Sequence, residues 1–489
     1  MHPSTTPAER KAPTVGAGHR WEPHEGRLAR LLRTRQMLIS VVVLVLAGLS
    51  ITALHTYRHP EMSPVDELQH IDYLFKAPHV VHSGEKVGQD AMREQACRRL
   101  PAWPQTEACS TTTVYDPLDF QESGSNTAAI YTPFSYTVTK VVAWPLQAVT
   151  GAGLVTAARL VGGLWLAGGL VMSLLAARRL GAHPYTATGL LLATATVPTV
   201  LYPAATITPD AMALLGGAAL LWSVLWWLEA PSRRWWLPAL LSGVVVAVKA
   251  LNILVVVLLA LFVLLRAVVT EVRRRRAGPA ADEAADAAGA DGADGDGVAG
   301  SAPGAAQSAL VIAAMSAVAL VLAVGYIAYT GATAVASSDG VAMTERARVD
   351  SFPVVATVEH LGVFLQVFFD AGSVNVLGPV GAINQRLLGL IVFGGTFGAL
   401  LVARRISLDV RLLALSLMVV GMIGAPLIIA FTYVSQGSFV PIPGRYALTL
   451  IPAGVAVAAA ALRDRPARIT AVVYGVGSFL ATAAFLVLL

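Results

Sequence analysis

Apolar runs close to twenty residues long recur from "MLISVVVLVLAGLSITAL" near the start of the sequence to "AVVYGVGSFLATAAFLVLL" at its end. That length suits an α-helix crossing a hydrocarbon core roughly 30 Å thick. In lipid every backbone amide must be bonded within the protein, which leaves helices or closed barrels, and the ten-residue alternation of barrel strands is absent. With 55% hydrophobic and only 13% charged residues, and a mean hydropathy of +0.64, the chain lacks the charge of a soluble domain, about a quarter of whose residues are charged. The expected fold class is an all-α polytopic membrane protein.

Basic clusters set the expected orientation. They are "RLARLLRTR" before the first apolar run, "ARR" ending at Arg179, "SRR" ending at Arg234, "RRRR" at 273–276, "ARR" ending at Arg405 and "RDRPAR" at 463–468. The positive-inside bias makes all six cytoplasmic. Spans at about 37–56, 155–177, 186–203, 210–229, 235–249, 252–270, 308–329, 386–403, 410–433, 446–462 and 469–488 satisfy that bias with about eleven crossings. The net charge of +5 is concentrated beside apolar runs, which points to orientation signals and to no nucleic-acid partner.

The layout divides into a cytoplasmic tail at 1–36, expected to be disordered, a transmembrane core at 37–276, a linker at 277–307 and a second bundle at 308–489. The first span follows a long polar leader and is expected to be retained. The linker has six acids, no bases and almost no large apolar residue, the composition of an unfolded cytoplasmic segment. Its "DGADGDG" lacks the closing Glu of a calcium loop. Two long extracytoplasmic loops result, at 57–153 and 330–385, and loops of that length are more often functional than incidental. In the second, "FPVVATVEHLGVFLQVFF" reads as an amphipathic helix on the membrane surface. The first holds both cysteines, Cys97 and Cys109, in the compartment where a disulfide persists, with two unpaired thiols as the alternative.

The first loop opens with "SPVDELQHIDYLFK". Pro64 fits the first turn of a helix, whose spacing sets Asp66 and Glu67 beside His70. Such a group can supply a general base for an attacking hydroxyl, or it can use Asp66 and Glu67 to ligate a divalent cation, Mg or Mn; a solvated helix start is the plainer reading. No cofactor is required by these residues. Further along, "YTPFSY" introduces a stretch, closed by Pro145 and Gly151, that suits a helix on the outer leaflet better than a crossing. Asp210, Lys249 and Arg445 then all fall at the outer edges of spans. Singly they read as a helix cap, a snorkelling lysine and an interfacial anchor. A charge inside a span costs about 2.5–3.5 kcal/mol at its centre and less at the rim, so three on one side invite a common role.

The order of these motifs resembles the GT-C superfamily of integral membrane glycosyltransferases, and most closely a family of bacterial predicted membrane proteins with an early "PDE..H" and a late "GRY". Here the motifs stand as Pro64-Val65-Asp66-Glu67-Leu68-Gln69-His70 and Gly444-Arg445-Tyr446, with Thr208-Pro209-Asp210 between. The resemblance implies a GT-C-like bundle in a bacterial plasma membrane, its N-terminus cytoplasmic and its active site extracytoplasmic. It implies sugar transfer from a polyprenyl-phosphate donor to a hydroxyl of an envelope glycan, lipid or protein. Asp66 would be the base, Glu67 a second base or metal ligand, and His70 would orient one of them. Arg445, supported by Lys249, would hold the lipid phosphate; Tyr131, Tyr136 and Tyr446 would meet the sugar, and Asp210 would share the cavity. A transporter or lipid flippase for envelope precursors is the alternative, and a non-catalytic scaffold the third reading.

Overall fold

A computed structural model describes residues 27–100, 108–277, 303–335, 347–369, 376–402 and 406–488. The tail up to residue 26, most of the acidic linker and the Arg405 cluster lie outside the described residues. Among the described residues there are no β-strands, only isolated bridges between Lys86 and Ser125 and between Arg348 and Ser438. Among the described residues nine helices are long and apolar enough to cross a membrane, and a bent pair, Pro184–Ala195 and Pro198–Ala205, turning by 65°, makes ten if it counts as one broken span. The protein is thus a polytopic all-α membrane protein. The expected crossing at 235–249 is a helix, Trp236–Val248, of 13 residues, or about 20 Å at 1.5 Å per residue, too short to cross alone.

We label the helices α1 (Arg27–Arg58), α2 (Glu67–Lys76), α3 (Gln89–Arg98), α4 (Phe134–Thr150), α5 (Leu154–Arg179), α6 (Pro184–Ala195), α7 (Pro198–Ala205), α8 (Ala213–Trp227), α9 (Pro231–Arg234), α10 (Trp236–Val248) and α11 (Ile253–Ala277). The second half supplies α12 (Ala305–Ala332), α13 (Val354–Glu359), α14 (Gly378–Leu401), α15 (Leu408–Gln436), α16 (Ile451–Ala461) and α17 (Arg465–Leu488). Helix α1 begins ten residues before the expected boundary, so 27–36 belongs to a helix and not to the tail; Arg, Leu and Ala are strong helix formers.

Helix α5 runs through the centre of the first half. A Cβ at its Gly162 would lie 1.8 Å from the Ala204 carbonyl, so α7 approaches as closely as backbone allows, the small-residue packing that lets helices associate in lipid. At the α6–α7 break the loosened backbone is bonded from α14: Asn384 Nδ2 donates to the Ala193 carbonyl at 3.2 Å and to Thr196 Oγ1 at 2.7 Å. Non-helical backbone at membrane depth persists only where protein satisfies it in this way.

The first long loop folds on itself. Helices α2, α3 and α4 enclose an apolar cluster including Met62, Leu68, Ile71, Met92, Tyr115 and Phe120, and a disulfide joins Cys97 to Cys109. Helix α4 buries Tyr136 and Ala143 and exposes Val141, Trp144 and Val149. The second loop departs from expectation. Its apolar segment breaks at Gly362, φ 75°, and its second half, Val363–Phe368, is buried in the main core, not laid along a surface. Five of those six residues are large, apolar and buried, and Gln366 alone of the six is exposed.

Three of the basic clusters, those of Arg179, Arg234 and Arg468, lie at one end. Glu229 accepts from Arg179 at 2.7 Å and from Arg234 at 2.9 Å, and Arg178 and Arg468 both lie near His183. The two loops lie at the other end, about 30 Å away along the 20 residues of α5 between Arg159 and Arg179.

Candidate functional site

The opening motif is organised by an arginine from α5. Arg159, fully buried, donates from Nε to Glu67 Oε1 at 2.9 Å and from Nη2 to Oε2 at 2.6 Å. Glu67 also accepts from the Ser63 amide at 2.7 Å and the Ile207 amide at 3.0 Å. Burial works against its charge, but Arg159 and these amides outweigh burial and hold the carboxyl below the usual carboxylate range. The remaining Arg159 donors reach the carbonyls of His59 at 3.1 Å and Glu61 at 2.8 Å. Glu67 is therefore a fastener between the first loop, α5 and the chain after α7, with both oxygens taken, and not the open second base or metal ligand expected of it.

Asp66 faces the other way. It precedes α2 in the left-handed conformation, φ 54°, and its carboxylate caps no helix amide. Asp is one of the few side chains that tolerates this region. Its carboxylate is 55% exposed and lies 3.9 Å from Arg445 Nη2, near enough to feel the charge and too far to be spent on it.

His70 does not orient either carboxylate. Its Nδ1 pairs with the Tyr136 hydroxyl at 2.7 Å, and its ring lies 5.5 Å from that of Tyr131. Burial, opposed in part by Asp210, pushes the imidazole down to about 4, so it is neutral at physiological pH. Burial raises the phenols of Tyr131 and Tyr136 well above their ordinary value and keeps them protonated.

Lys249 sits where α10 ends and a 3-10 turn begins. It is buried, and its Nζ lies 2.6 Å from Asp210 Oδ1, 3.9 Å from the ring centre of Tyr446 and 5.6 Å from that of Tyr131. Arg445 lies 5.8 Å from the same Tyr446 ring. The eight residues Asp66, His70, Tyr131, Tyr136, Asp210, Lys249, Arg445 and Tyr446 thus form one chain of contacts drawn from both halves of the sequence, with Glu67 behind it. Its two carboxylates and two cations balance. A pocket lined by Tyr136, Thr139, Trp165, Thr206 and Thr208 borders it.

The divalent cation considered from sequence does not suit these donors. Among the described residues no three His, Cys, Asp or Glu side chains are grouped to hold one, Glu67 has both oxygens bonded to Arg159, and Asp210 holds Lys249. Sequence reading missed Arg159, whose signal was a lone charge five residues into an apolar span. It also missed Tyr326 of α12, which donates to the Ala129 carbonyl at 3.3 Å and also bonds the Tyr131 carbonyl.

No curated protein and no solved structure matches the chain. A family model described as "Predicted membrane protein (DUF2142)" matches residues 41–453, which include every member of this cluster. By that match over most of its length, the chain belongs to the DUF2142 family of predicted membrane proteins.

Proposed function

We propose that the protein is a GT-C-like glycosyltransferase, moving a sugar from a polyprenyl-phosphate donor to a hydroxyl of an envelope glycan, lipid or protein on the extracytoplasmic side. The observation that carries this reading is the exposed Asp66 carboxylate, which caps no helix amide and lies in a long ion pair, 3.9 Å from Arg445. Beside a guanidinium that can take a phosphate, it suits the part of a base whose partner charge the donor would occupy. The acceptor oxygen attacks the anomeric carbon and its proton passes to Asp66. The bond from that carbon to the phosphate oxygen breaks, and the lipid phosphate departs with the electron pair, held by Arg445. Tyr131 and Tyr446 offer rings and hydroxyls to the sugar, and Lys249 adds positive field from behind, restrained by Asp210.

The test is transfer from labelled polyprenyl-phosphate sugar in proteoliposomes. A positioned base contributes about 10²- to 10⁴-fold, so Asp66→Asn should lower turnover by that order while donor binding persists. Undiminished transfer by Asp66→Asn would remove it from the mechanism. In cells lacking the protein, an unextended envelope glycan should accumulate.

A further inference from the structure

The segment leading into Arg445, "SFVPIP" at 438–443, has few amides with which to be held: Pro441 and Pro443 carry no N–H, and that of Ile442 lies between them. That one amide donates to His360 Nε2 at 3.3 Å. On the other side of the ring, His360 Nδ1 lies 2.6 Å from the Ala356 carbonyl. A carbonyl only accepts, so Nδ1 carries the proton and Nε2 presents the lone pair; both ends of one neutral tautomer are in use. Phe439 packs edge-on against the same imidazole, with centroids 5.9 Å apart. Upstream, the Phe439 amide donates to the Ala347 carbonyl at 2.8 Å and the Val349 amide to the Gly437 carbonyl at 3.0 Å. Downstream, a Cβ on Gly444 would meet the Val363 carbonyl at 3.0 Å. The second loop therefore grips this segment on both sides of the prolines, and His360 supplies the grip between them.

We infer that His360 is a positioning residue for the anion-binding end of the site: through Ile442 it fixes the direction in which Arg445 and Tyr446 enter the polar cluster. This gives a role to the turn that ends α13, whose buried continuation, Val363–Phe368, packs against the Gly444–Leu450 turn. The inference rests on the proposed phosphate role of Arg445 only for its functional consequence; the mechanical claim stands apart from it.

Two measurements on the full-length protein in nanodiscs separate the claims. Hydrogen exchange reads the mechanical one. A lost hydrogen bond of ordinary strength changes a local opening equilibrium by about tenfold, so His360→Ala and His360→Leu should speed exchange in the peptide covering 439–446 by that order. The peptide covering α4 should not change. His360→Gln keeps an acceptor for the Ile442 amide and should restore most of the protection. Polyprenyl phosphate binding reads the functional one: His360→Ala should weaken it about tenfold, His360→Gln less, and His360→Ala should add nothing in an Arg445→Ala background. Unchanged exchange at 439–446, or an equal further loss in the Arg445→Ala background, would overturn the inference. Faster exchange with no polyprenyl phosphate binding by any variant or by the native protein would uphold the positioning role and refute the phosphate reading.

Discussion

Asp66 and Glu67 are adjacent carboxylates in opposite circumstances, and one backbone angle divides them. With φ at 54°, Asp66 turns its side chain outward, while Glu67 begins α2 with its oxygens locked inward on Arg159. A buried pair of this kind is weak evidence of net stabilisation, but removing one partner strands the other charge, typically at about 3–5 kcal/mol. Glu67→Gln should therefore lower the thermal midpoint in detergent sharply. Pairing it with Arg159→Met should recover part of the loss, because no unpaired charge is left; an additive decrease would mean the two residues act independently. An acidic pair was legible in the sequence at these positions, but its division of labour was not. The partner that decides it lies 92 residues away, and helical spacing alone brings both carboxylates equally close to His70. The same holds for His70, whose hydroxyl partner on Tyr136 lies 66 residues off.

Among the elements, apolar length located the long helices well, because a span must satisfy its own backbone whatever packs beside it. It did worse where tertiary contacts replace that requirement. The helix at 236–248 stops short, and its end is handed to Lys249 and to Asn252, whose Nδ2 donates to the Val245 carbonyl at 3.2 Å. The stretch 363–368 was misjudged for a related reason: its apolar residues follow one another closely enough to be enclosed by the bundle, whereas 354–359 keeps its valines exposed, so periodicity gave no sign of where the segment turns inward. The first loop owes its order to its own core and to the disulfide. Closing a loop across a separation of 12 residues contributes about 3 kcal/mol on the chain-entropy view. Cys97→Ser with Cys109→Ser should accordingly raise proteolysis within 59–130 while leaving the transmembrane helices protected. Cleavage unchanged from the native protein would show that the apolar cluster suffices alone.

Across the whole molecule, two kinds of charge are sorted to opposite ends. Arginines 179 and 234 share Glu229 at one end, and the balanced cluster of Asp66, Asp210, Lys249 and Arg445 occupies the other. The positive-inside bias counts Lys and Arg whatever acids pair with them, and would hold the arginine end on the cytoplasmic side, which would turn the balanced cluster outward, where a lipid-borne donor and an envelope acceptor could both reach it. Single cysteines introduced at exposed positions in a Cys97→Ser, Cys109→Ser background test this directly. Glu61→Cys, beside the acidic pair, and Ser435→Cys, just before the segment that leads to Arg445, should both react with an impermeant maleimide on intact cells. Arg233→Cys and Asp464→Cys, at the arginine end, should react only after permeabilisation. The first pair carries the weight, since the two positions belong to different halves of the chain and meet only through the fold. If Glu61→Cys and Ser435→Cys labelled from different sides, Asp66 and Arg445 could not share a ligand. If both labelled only from inside, the site would survive as geometry but would face the cytoplasm, and an extracytoplasmic acceptor would be ruled out.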